Sequence, residues 1–75
     1  MKFTKYVEEI NAIAERASER VEKRDDMNFY TPFFKGMALG VFYMAAKECF
    51  PEEERKIILE ALAKVDEVLD RRFLE

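Results

Sequence analysis

The chain has 75 residues, 49% of them hydrophobic and 39% charged, with two Gly, two Pro and a formal charge of −3. That is the composition of one small globular domain, residues 1–75, near the lower size limit for folding without disulfides or metals. The charge divides into −1 over residues 1–30 (6 basic, 7 acidic), +1 over 31–50 (2 and 1) and −3 over 51–75 (5 and 8), so no basic stripe offers a nucleic-acid footprint.

From the N-terminus, Phe3, Val7, Ile10, Ala14, Ala17 and Val21 recur four and three apart. With Tyr6 and Ile13 they fill an arc of about 120° on a helical wheel. The spacing predicts an amphipathic helix over 3–24, with Thr4 as its N-cap and Glu8 and Glu9 near its positive end. "RDDMNFY" (24–30) breaks the period and reads as a connection. Its Met27, Phe29 and Tyr30 form either a lid on the core or an exposed contact. Thr31-Pro32 then restarts a helix over 32–49, with Thr as cap and proline at the first position, where no N–H is needed. Pro51 ends that helix, because the residue before a proline is pushed out of the α region, and opens a third helix over 51–73.

In the third helix Glu52, Glu53 and Glu54 take the first turn and Arg71 and Arg72 the last, both complementing the helix dipole. Its expected buried face is Ile57, Ile58, Ala61, Leu62, Val65, Val68, Leu69 and Phe73. Glu19–Lys23, Glu52–Lys56, Glu60–Lys64 and Glu67–Arg71 lie four apart and mark solvated faces. Short connections favour antiparallel neighbours, so the expected fold class is all-α, a three-helix bundle.

The second helix is apolar nearly all round. Phe33, Phe34, Met37, Val41, Phe42 and Met44 share one broad side, which Leu39, Ala46 and Phe50 continue. The gap holds Gly36, Gly40, Tyr43 and Lys47. Two interior glycines cost about 1 kcal/mol each relative to alanine, so something must offset them. Three uses are open: close approach of the first or third helix, a homodimer contact, or a shallow groove for a ligand or foreign helix. The apolar faces of the second and third helices are wider than two neighbours in a monomer would cover. Part of the second helix is therefore expected to face a second copy. The interface residues are Phe33, Phe34, Met37, Gly36, Gly40 and Val41, with Met44, Tyr43 and Lys47 completing it.

Chemistry is sparse. The chain has no histidine, one serine (Ser18) and two threonines read as caps (Thr4 and Thr31), so no nucleophile–base–orienter set assembles. "GMALG" sits inside a helix and lacks the Lys-Ser/Thr of a phosphate loop. The single cysteine, Cys49, forbids an intramolecular disulfide, offers zinc one thiolate at most and reads as a small buried hydrophobe. The E-x-x-D of Glu67 and Asp70 is similar to half of the magnesium-binding pattern of all-α nucleoside-triphosphate pyrophosphohydrolases. The other half, E-E-x-x-E, fails at Ala12 after Glu8-Glu9 and at Ile57 after Glu53-Glu54. No catalytic residue, cofactor or metal is expected.

A helix-turn-helix role would point Glu52, Glu53 and Glu54 at phosphate, so no nucleic-acid partner is expected either. The longest uncharged run, Gly36 to Ala46, is far short of the roughly 20 residues that span a bilayer. "MKFTKYVEEI" turns charged before a signal-peptide core forms, so a cytoplasmic protein with no membrane partner is expected. Leu74-Glu75 resembles a cloning-site remnant and is left out of functional argument. The expected function is a small non-enzymatic helical interaction module that self-associates and binds a protein partner. The alternatives are a phage- or mobile-element-encoded protein inhibitor, or the magnesium-dependent nucleotide enzyme.

Overall fold

The computed structural model describes residues 2–24 and 26–70, which form three helices. They are α1 (Lys2–Lys23), α2 (Met27–Lys47) and α3 (Glu52–Asp70), and the described residues contain no strand. The expected all-α three-helix bundle is what the chain forms. α1 packs most extensively against α3 and next against α2, while α2 and α3 meet least. The core combines Ile10, Ile13, Phe34, Ile58, Val65 and Leu69 with four alanines: Ala17, Ala38, Ala45 and Ala61. Small residues at the crossings let helix axes approach the lower end of their usual 8–10 Å range, roughly the spacing a slender bundle needs. The principal extents are 37 × 18 × 15 Å.

Two helix starts differ from the sequence-based expectation. α1 begins at Lys2, which places Thr4 inside its first turns rather than at the N-cap. α2 begins at Met27, so Thr31-Pro32 does not start it; Pro32 is an interior residue and Thr31 is buried on the core face. Aromatic pairs four apart explain the early start. Phe29 stacks on Phe33 with ring centroids 5.5 Å apart, and Tyr30 on Phe34 at 5.7 Å. Both pairs span the Thr-Pro step and need helical geometry to meet. The Arg20 guanidinium, 4.9 Å from the Tyr30 ring centroid, adds a cation–π contact from α1. The expected connection over 24–30 therefore gives way to α2 from Met27 onward. Met27 and Tyr30 are half-buried helical residues packed against the core, and Phe29 is an exposed one.

The ends of α1 and α2 share one device. Arg24 (φ 53°) and Cys49 (φ 54°) both adopt the left-handed conformation that unwinds a helix. Arg24 N–H donates to Val21 O at 3.1 Å, and Cys49 N–H donates to Ala46 O at 3.2 Å. α2 thus stops at Lys47 and excludes Cys49, which is exposed rather than buried as expected. Beyond the turn, Phe50 sets its ring edge-on to Phe3 and Tyr6, with centroids 6.5 and 5.9 Å away, docking the α2–α3 connection onto the start of α1. On α3, Ile58, Ala61, Val65 and Leu69 are buried and Leu62 and Val68 half-buried, but Ile57 is exposed against expectation. Arg71, Arg72, Phe73, Leu74 and Glu75, for which the sequence carried expectations, lie outside the described residues.

Candidate interaction surface on α2

α2 enters the core through Thr31, Phe34, Ala38 and Ala45. Phe34, expected at an interface, is therefore buried in its own bundle. Met37 and Val41 are half-buried on the flank of that core face. The remaining expected contact residues, Phe33, Gly36, Gly40, Tyr43, Met44 and Lys47, are all exposed together on the far side. Phe29 and Leu39 join them there. The large side chains of this face, Phe29, Phe33, Leu39, Tyr43 and Met44, are between 45% and 71% exposed, and they share one helix face rather than being scattered singly. Leu39 is not among the expected contact residues because α2 is apolar on nearly every side, and its exposed face is fixed only once α1 and α3 take theirs.

The glycines lie in the middle of this surface. A Cβ built on Gly36 or Gly40 meets nothing within 4 Å. Close approach of α1 or α3, the first of the three expected uses, is thereby overturned: the glycines face away from the bundle. They leave a low saddle between two raised ends. Phe29 and Phe33 form one end, steadied by the Phe33–Phe34 edge contact at 5.4 Å. Tyr43 and Met44 form the other. Of the exposed residues on α2 only Lys47 is charged, whereas the exposed positions of α1 and α3 are mostly Lys, Arg, Glu and Asp.

Polar groups collect at the ends of the bundle. Tyr6 Oη donates to Glu48 Oε2 at 2.6 Å, and Lys2 Nζ lies 3.6 Å from Glu48 Oε1. The Tyr6 hydrogen bond is the main cause holding the Glu48 carboxyl below its usual range, with the Lys2 charge helping against partial desolvation. The same bond to a carboxylate raises the Tyr6 phenol above its usual value. At the other end of α3, Lys35 Nζ lies 3.6 Å from Asp70 Oδ1 and ties α2 to α3. An open hollow of about 740 Å³ lies between the last turn of α2 and the start of α3, lined by Phe42, Ala46, Cys49, Arg55, Lys56 and Leu59 among others.

The carboxylates of the E-x-x-D pattern are separated in use. Asp70 faces Lys35, while Glu67 lines a shallow hollow with Glu15, Ser18 and Lys64. Among the described residues no group of three His, Cys, Asp or Glu is placed to hold a metal ion. No helix among them is long and apolar enough to cross a membrane. No protein-family model, curated protein or solved structure matches this chain.

Proposed function

We propose that the protein is a non-enzymatic helical interaction module that works as a homodimer and binds a further protein partner. The outer face of α2 is its self-association surface. One observation carries this reading: a whole exposed helix face holds aromatic, Met, Leu and Gly residues and a single charge, Lys47. Interface cores are depleted of charge and enriched in aromatics and Met, and a contiguous apolar patch of this extent marks a contact site. The further partner then meets the charged outer faces of α1 and α3, which a pairing through α2 leaves free.

Light scattering over a hundredfold concentration range tests the reading. The expected mass is twice the chain's 8.9 kDa, falling toward one chain on dilution. Phe33→Glu is expected to hold it at one chain throughout, because a carboxylate would be desolvated without a partner. A mass that stays at one chain for the unaltered protein at every concentration removes the proposal.

A further inference from the structure

The centre of the exposed face is a stripe of six residues: Phe29, Phe33, Gly36, Gly40, Tyr43 and Lys47. Their spacings alternate four and three, the rhythm of a coiled-coil seam. Here the seam points away from the protein's own core, which α2 enters from the opposite side through Thr31, Ala38 and Ala45. The stripe is also symmetric. Positions 29 and 47, 33 and 43, and 36 and 40 are each equidistant from residue 38.

We infer that α2 pairs antiparallel with α2 of a second copy about a two-fold axis beside residue 38. This rests on the self-association reading above and specifies its geometry. Gly36 then lies against the partner's Gly40, Phe33 against the partner's Tyr43, and Phe29 against the partner's Lys47.

Each layer suits its chemistry. The glycine layer at the two-fold lets the helix axes come to the close end of the usual range of about 8–10 Å, a use for glycines whose own bundle leaves open space around them. Aromatic rings from both copies fill the next layer. In the outermost layer the Lys47 ammonium reaches the face of the Phe29 ring, a cation–π arrangement. Flanking the stripe, Tyr30, Pro32, Met37, Leu39, Met44 and Ala46 are uncharged, so no like charges are forced together. Parallel pairing would instead set Lys47 against the partner's Lys47.

The area is adequate. At about 200 Å² for each fully exposed large side chain, the five large residues of the face offer on the order of 500 Å² per copy. The exposed backbone of Gly36 and Gly40, with Pro32, Ala46 and Lys47, brings the face toward the roughly 800 Å² per partner of a standard interface.

Cys49 makes the test direct, since it is the sole cysteine and is exposed. A nitroxide label on its thiol allows a pulsed electron–electron distance measurement on an otherwise unaltered chain. Cys49 lies eleven residues from position 38, so antiparallel pairing puts the two thiols about 33 Å apart along the helix axis at 1.5 Å per residue. A distance distribution centred at about 30–45 Å is expected once lateral offset and label length are added to that axial span. A short distance of about 10–15 Å, on the scale of adjacent helix axes, overturns the antiparallel register while leaving self-association standing. Absence of dipolar coupling at every concentration, together with one chain's mass throughout, overturns both.

Gly40→Leu completes the test. A Cβ added at Gly40 meets nothing within 4 Å in the single bundle, so the helical circular dichroism of the single chain is expected to be kept. Dimer dissociation is expected to become at least about tenfold easier, through overpacking of the glycine layer. A dimer affinity unmoved by Gly40→Leu overturns the inference.

Discussion

Thr31 carries its Oγ1 into the core side of α2 and finds no hydrogen-bond partner there. A buried, unsatisfied hydroxyl costs about 1–3 kcal/mol, and valine has nearly the same shape and helix propensity. Thr31→Val is therefore expected to stabilise the fold by about 1–2 kcal/mol, read as a higher urea midpoint with an unchanged slope. A lower midpoint would mean the hydroxyl has a partner after all. The Tyr6–Glu48 hydrogen bond has a pH signature at both ends of the scale. Glu48 is held below its unfolded value, so its contribution is complete above that value and is lost as pH falls through the folded one. Tyr6 is raised, so its contribution is complete below its unfolded value of about 10 and is lost as pH rises through the folded one. Tyr6→Phe keeps the ring against Phe50 but removes the bond. Melting temperatures across pH 3 to 11 should show both limbs flattened in that variant; limbs identical to those of the unaltered chain would assign them to other groups.

At the scale of the helix, α1 and α3 were legible in the sequence because charge and apolar residues alternate there with a clear 3.6-residue period. α2 offers no such contrast, and its start was hidden by a misleading local cue. Thr-Pro looks like a cap and first residue, yet the ring pairs Phe29–Phe33 and Tyr30–Phe34, with Arg20 on Tyr30, continue the helix back to Met27. Tertiary and side-chain terms outweighed a proline that removes one backbone donor. The carbonyl of Asn28, four residues earlier on an exposed turn, loses its intrahelical donor as a result. Pro32→Ala restores it and should raise stability by about 1–3 kcal/mol, checked by chemical denaturation at concentrations below any association. The glycine strip was visible as a strip, but its direction was not. Whether Gly36 and Gly40 face α1 or solvent depends on which side of an all-apolar helix the core takes, and that is settled by Ala38 and Ala45 meeting their neighbours. Cys49 differs from expectation for a related reason: nothing in the apolar pattern before Phe50-Pro51 marks the helix end, whereas α2 stops two residues earlier, at Lys47, and Cys49 itself takes the left-handed conformation.

For the whole molecule, two of the three outward surfaces are charged and one is not. A core built partly of alanine in a bundle this small typically yields only about 3–5 kcal/mol of net stability. In the proposed dimer, apolar surface sealed between copies would be a large share of what keeps the chain folded, and melting should depend on concentration. The left-handed turn that ejects Cys49 from α2 has its own effect on such an assembly. An antiparallel pair carries its two thiols at opposite poles, too far apart to join each other. Mild oxidation would consequently link one pair to the next, end to end. Under native conditions the particles would lengthen in steps of two chains, while a denaturing gel without reductant would show nothing larger than a two-chain band, since each chain has one thiol to give.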